Sequence, residues 1–367
     1  MISEKAVKNF TACRFCLMCR HLCPVGLKTG NEGNTPRAKA LLLSYVNTGT
    51  PFSAEMAQDM YECCLCYACA SGCETGFEPP AYIREARTMA VVQNVVPAGV
   101  RKVLDALAAT GNLFGMAPDE VSPALREAIR ALPPKAKTLL YLGGTARYKE
   151  PEIALAVIRL LQKAGVPFTV LGDEPASGAE LGDLIGFVDE VREAGRQCAQ
   201  AVNGADAETI VVLDPNAARM FTQQYAEWGI GLKGNVVTAT RFAADLLREK
   251  KLVPRSVRLS ATFQDDPVLT RELDETEPPR EILAALGVDL REMFLNRTRV
   301  KSGGTALLHE YAPRIAALTG EGRWADALRT GASALLTATP DTFYVMRGTR
   351  PDSMRIQDIF VLLEANT

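Results

Sequence analysis

Eight cysteines near the start of the chain fall into two copies of one pattern, C-x2-C-x2-C-x3-C. Cys13, Cys16, Cys19 and Cys23 form the first copy, and Cys63, Cys66, Cys69 and Cys73 the second. Three thiolates two residues apart can leave one tight turn and reach three iron corners of a single 4Fe-4S cube, so the fourth corner needs a ligand from elsewhere. In two-cluster ferredoxins the cysteine after the x3 gap ligates the other cluster, and each copy lends a ligand to its twin. That exchange assigns Cys13, Cys16, Cys19 and Cys73 to one cluster, and Cys63, Cys66, Cys69 and Cys23 to a second. The expected cofactors are therefore two 4Fe-4S clusters. Pro24 favours the exchange, because a proline disfavours α geometry at the preceding residue and turns Cys23 away from its neighbours. Glu74 stands at the matching place in the second copy, which removes the turn argument for Cys73 but leaves the ligand.

Structural zinc also uses C-x2-C pairs, but it takes four ligands from two separated pairs, not a third cysteine in register plus a lagging fourth, twice over. A disulfide framework fits less well, since the cysteines crowd one end of a long chain with no secretory start. Cys64 would give spacings of one and four and is read as a non-ligand. Cys198 stands alone, as a small buried hydrophobe would. Of the two histidines, His21 lies inside the first motif and His309 on a predicted helix; neither belongs to a nucleophilic arrangement.

The 367 residues carry a net charge of −2, 47% hydrophobic and 23% charged residues. These values predict two or three soluble domains and give no electrostatic footprint for nucleic acid or an anionic membrane. No apolar run approaches the ~20 residues of a membrane span, so a cytoplasmic protein is expected, membrane-associated at most through partners. Arg14, Arg20 and Lys28 near the first motif suit a docking patch, cluster-charge compensation or plain solubility.

The elements that must hold the cysteines read as helices and loops. Thr35-Pro36 is a cap followed by a proline at the first helical position, leading through Ala38 to Val46 to a close at Gly49. Ser53 caps a helix running into Cys63, and helices follow at Tyr82 to Val92 and Ala98 to Ala109. Pro133-Pro134 marks a boundary. Beyond it the pattern becomes β-α-β, with strands at 138–142, 166–171 and 209–213 and a helix over 151–164, which implies a parallel sheet covered by helices. Ser333 to Ala338, Thr339-Pro340 and the run from Pro279 to Val288 echo the earlier plan, so two α/β units are expected. Gly229-Ile-Gly231-Leu-Lys-Gly234 matches G-x-G-x-x-G, but a helix precedes it and a strand follows, the reverse of a pyrophosphate loop; it reads as a helix-ending loop. Ser302-Gly-Gly-Thr305 reads as an ordinary loop.

With these residues in hand, the chain resembles the iron-sulfur subunits related to heterodisulfide reductase, glycolate oxidase and anaerobic glycerol-3-phosphate dehydrogenase. Thr35-Pro-Arg-Ala-Lys-Ala and Gly111-Asn-Leu-Phe-Gly115 look like that family's connecting segments. The resemblance implies an α+β multidomain protein: a helical dicluster ferredoxin domain over 1–134, then cysteine-rich-type α/β repeats over 135–254 and 255–367. The family's repeats carry metal-binding cysteines, and here their frames survive without them. Gly144, Ala176, Ser177, Asp214 and Ala217 stand in the first repeat, and Val268, Ser302, Thr339 and Thr342 in the second. The resemblance thus implies scaffold and electron relay but no catalytic residue. The expected protein is an electron-transfer subunit of a heterodisulfide reductase-like complex, passing single electrons between other redox subunits, a flavoprotein foremost. The alternative is a catalytic subunit that uses the emptied cleft, with Asp214, Asp266 and Asp341 as its polar groups; those aspartates could equally cap helices.

Overall fold

The computed structural model describes residues 2–367. Its first part is helical. Thr35 Oγ1 accepts from the Ala38 N–H at 3.2 Å and starts the helix Pro36–Asn47; Ser53 Oγ accepts from Met56 N–H and starts Ala54–Tyr61. The helix Pro79–Val92 begins three residues earlier than the spacing suggests, because Pro79 and Pro80 occupy a first turn where their missing N–H groups cost nothing. With the helix Glu4–Thr11, these helices bury Phe10, Leu43, Met60, Tyr61, Tyr82 and Ile83 against one another, and that core carries the cysteine loops on its edge.

Two four-stranded parallel sheets follow. Strands β1 (Thr138–Tyr141), β2 (Phe168–Thr169), β3 (Thr209–Val212) and β4 (Asn235–Thr238) are ordered β2-β1-β3-β4. Strands β5 (Ser260–Phe263), β6 (Asp289–Leu290), β7 (Ala334–Thr337) and β8 (Arg355–Asp358) are ordered β6-β5-β7-β8. The identical order bears out the internal repetition. β1 and β7 are buried along their whole length, as strands covered on both faces must be. The helix Pro151–Lys163 packs on the C-terminal helix Ile359–Ala365, and a single core joins Leu140, Leu142 and Ile158 of the first unit to Phe263, Leu336 and Phe360 of the second.

The strand expected over 166–171 shrinks to two residues, since β2 is an edge strand paired only with the start of β1. The helix after Asp214 is not uniform: a π-turn, Met220–Gln224, interrupts it, and a second π-turn, Val268–Glu272, follows Asp266-Pro267 at the matching place. The Gly229–Gly234 segment is the expected loop between the end of that helix and β4. Among the described residues no helix is long and apolar enough to cross a membrane.

Candidate iron-sulfur centre

The two cysteine loops share one backbone. Phe15 and Leu17 in the first, and Leu65 and Tyr67 in the second, adopt positive φ of 56°, 65°, 51° and 57°. These are the same two positions of each copy. Left-handed backbone at a non-glycine residue costs on the order of 1–3 kcal/mol and persists only where the surroundings impose it. Each loop runs into a short helix, Met18–Leu22 or Ala68–Ser71, and those helices pack together.

The third and fourth cysteines part company. Cys23 is extended at φ −74°, ψ 111°, as the following proline dictates, and its Sγ accepts from the Gly26 N–H at 3.4 Å. Burial pushes its thiol up to about 12; the Gly26 N–H opposes this, and Cys63 and Cys66 add to it. Burial also pushes Cys19 up to about 11, and the groups that add to it are Cys13, Cys16 and Cys73. Burial of Cys69 acts in the same direction, followed by Cys66, Cys63, Cys23 and Cys19. Packing separates them differently: Cys23 and Cys66 lie against Cys64, Leu308 and Ile315, whereas Cys13, Cys19, Cys63 and Cys73 lie against the helical core. At Cys73 burial raises the thiol, but hydrogen bonds from Thr75 and the Phe77 N–H outweigh it and leave it below the ordinary value.

One cavity is lined by Cys23, Cys63, Cys64, Cys66 and Cys69 together, with Lys39 at its wall. A donor set of thiols with N–H···S bonds, as at Gly26 and from Leu65 to Cys63 at 3.4 Å, suits a 4Fe-4S cluster. Among the described residues no three His, Cys, Asp or Glu side chains converge on one point as the ligands of a metal ion. Cys64 is buried within the second loop with its thiol raised by burial, and Cys198 is fully buried in the first α/β unit. His21 is exposed on the Met18–Leu22 helix.

Residues 12–78, which span both cysteine motifs, match the 4Fe-4S dicluster domain. The similarity to known proteins continues past that segment. One component of the dihydromethanophenazine:CoB–CoM heterodisulfide reductase of Methanosarcina acetivorans is 27% identical over 377 residues, covering 91% of this chain and 89% of that protein. A probable iron-sulfur-binding oxidoreductase of Bacillus subtilis, FadF, is 25% identical over 76% of this chain and 41% of its own length. An EtfAB:quinone oxidoreductase of Syntrophomonas wolfei is 26% identical over 71% of the chain and 37% of that protein. The chain resembles these heterodisulfide reductase-like iron-sulfur proteins over most of its length.

Two buried cations, Lys39 and Arg87, and a half-buried one, Arg271, stand at the second loop and are not announced by the cysteine spacing. Lys39 is 1% exposed, and its Nζ donates to the carbonyls of Gly33 and Asp59. Arg87 is fully buried and donates to the Met60 and Cys63 carbonyls at 3.0 and 2.9 Å and to the Asp183 carbonyl at 2.6 Å. Arg271 donates to the Cys66 carbonyl. Arg84 links Tyr67 Oη, at 2.7 Å, to the Asp183 carboxylate, at 2.9 Å. Burial would raise Asp183, but Arg84 and Arg219 hold it below the usual carboxylate range. The only sequence signal for these residues is that basic side chains occur on otherwise core-facing helix positions.

The emptied repeat positions sit at the C-terminal ends of β1 and β3, and of β5 and β7, where strand order reverses and open α/β sheets bind ligands. Side chains now tie them together. Asp266 accepts from Thr339 and Thr342 at 3.0 and 2.9 Å and from the Val268 N–H at 2.8 Å. Asp341, instead of capping its helix, accepts from Thr145 and Asn216 of the other repeat. Asp214 does cap, accepting from the Asn216 N–H at 2.9 Å. It comes so near Gly143, φ 83°, that a Cβ there would lie 2.5 Å from it. The cleft lined by Asn216, Asp266, Asp341 and Thr342 reaches Cys64 and Cys66.

Proposed function

We propose that this chain is an electron-transfer subunit of a heterodisulfide reductase-like oxidoreductase complex. The observation that carries the reading is the pair of matched left-handed loops, each carrying one C-x2-C-x2-C-x3-C motif, within a segment that matches the 4Fe-4S dicluster domain. Cys13, Cys16, Cys19 and Cys73 would hold one 4Fe-4S cluster, and Cys63, Cys66, Cys69 and Cys23 the other. When bound, such clusters accept and release single electrons, between other redox subunits such as a flavoprotein and a further acceptor. The chain's own residues set the conditions: the Gly26 and Leu65 N–H groups donate to sulfur, and Lys39, Arg87 and Arg271 put positive charge beside the second group.

In this reading residues 1–134 form the ferredoxin domain, 135–254 and 255–367 are the two repeats, and the protein works in the cytoplasm, meeting a membrane only through partners. The alternative of catalysis at the cleft between repeats draws less support, because both Asp266 oxygens are engaged within the protein. Iron and acid-labile sulfide on anaerobically purified protein test the proposal: about eight irons per chain is expected for two cubes. A value near zero, or stoichiometric zinc, would sink it.

A further inference from the structure

The two loops have the same backbone but opposite surroundings. In the second, Cys64, Leu65 and Ala68 are 7%, 6% and 2% exposed, covered by the α/β repeats. Their counterparts in the first are Arg14, Phe15 and Met18; Phe15 and Met18 are 58% and 57% exposed, and Leu17 between them is 38% exposed. No element of the described residues covers this apolar tip. Around it stand Arg14 and Arg20, exposed, and Arg37, whose guanidinium stacks on the Phe15 ring at 4.9 Å. A single carboxylate, Glu32, pairs loosely with Arg20 and Arg37 at 3.6 and 3.8 Å. Three arginines thus face one glutamate in a chain whose net charge is −2. A small apolar centre within a charged rim is the make-up of a transient protein interface, and the charge steers the encounter.

We propose that the first cysteine loop is a docking face for a redox protein whose surface around its own cofactor is acidic. The inference rests on the electron-transfer reading and names where and with what chemistry the partner meets it. Phe15, Leu17 and Met18 would enter the contact, while Arg14, Arg20 and Arg37 meet the partner's carboxylates, beside exposed Cys16. Electrons then cross at the uncovered loop and not at the one the repeats enclose.

An acidic flavodoxin serves as the probe. Its binding to the anaerobic, cluster-loaded chain, and its rate of electron exchange with it, are measured between low and high salt, with basic cytochrome c as the control. The wild type is expected to bind flavodoxin more tightly at low salt, and Arg20→Glu/Arg37→Glu to weaken both binding and rate at least tenfold. Met18→Ser should weaken binding with its salt dependence kept. Iron content and reduction by dithionite are followed in each variant. Clusters intact and reducible, but flavodoxin binding indifferent to the charge reversal, would overturn the docking face and leave the relay standing. Failure to load iron in the wild type would overturn the relay itself. A monomer–dimer equilibrium abolished by Met18→Ser would show that a second copy of the chain covers the tip, and would also overturn the proposal.

Discussion

Arg271 Nη1 donates to the carbonyl of Cys66 at 2.6 Å across 205 positions of sequence. The same guanidinium donates through Nε to Thr298 O at 2.8 Å, so one side chain of the second repeat ties the second cysteine loop to the loop before Val300. A hydrogen bond from a charged donor to a part-buried carbonyl contributes about 1.5–3 kcal/mol. Arg271→Gln is therefore expected to lower unfolding stability by about 2 kcal/mol, checked by anaerobic denaturant titration. It should also speed iron loss from one cluster and not both, followed by visible absorbance under a chelator. Equal loss from both clusters would count against this local role.

Lys39 gives a prediction about potential. Its ammonium lies beside Cys23 and Cys63 and is buried. A unit charge several ångströms from a site of effective dielectric near 20 is worth about 2 kcal/mol. Lys39→Met should make the reduction potential of one cluster more negative, on the order of 50–100 mV, and move the other less. Potentiometric titration read by electron paramagnetic resonance measures both. A positive shift would show that the ammonium is not the dominant charge there.

Cys64 and Cys66 separate ligand from neighbour. Cys66→Ser should cut iron from about eight to about four per chain on the two-cube reading. Cys64→Ala should leave iron unchanged, because its thiol is packed against Val25 and Leu308. Halved iron in Cys64→Ala would overturn the assignment.

Asp358 makes stability depend on pH. Burial pushes its carboxyl up to about 7, while hydrogen bonds from the Phe360 N–H and Thr337 hydroxyl pull it down. The folded state therefore holds this proton to higher pH than the unfolded chain, whose reference value is 3.8. The associated stabilisation is complete below that value and is lost as pH rises toward 7, with a limiting slope of about 1.4 kcal/mol per pH unit. Asp358→Asn keeps an oxygen for the cap and removes the proton, so denaturation midpoints across roughly pH 4 to 8 should fall less steeply in that variant. An unchanged slope would assign the titration elsewhere.

Much of this is legible in the chain. The cysteine spacing points to the paired loops, Pro24 predicts the extended Cys23, and Pro340 after Thr339 marks a strand end that the structure places after β7. Strands β5 and β8 escape a sequence reading: Ser260–Phe263 and Arg355–Asp358 mix polar and apolar residues, and their pairing with β7 is a long-range matter. Arg87 escapes it because a guanidinium within an apolar helix face looks like an error of periodicity until the Met60 and Cys63 carbonyls appear beside it. Asp341 has the pattern of a cap and instead bridges to Thr145, since a partner in another repeat leaves no local trace.

The clamp on the second loop has a consequence for how the protein is made. Arg84 and Arg87 reach Asp183, and Arg271 reaches Cys66, so the residues that close over the inner loop are translated well after its cysteines. On the two-cluster reading, maturation has an order: the inner centre must be filled before the C-terminal units settle, whereas the outer one, beside exposed Cys16, stays open to late delivery. Oxidative damage then has an asymmetric remedy, with the outer centre replaceable in the finished protein and the inner one only by prising the repeats away.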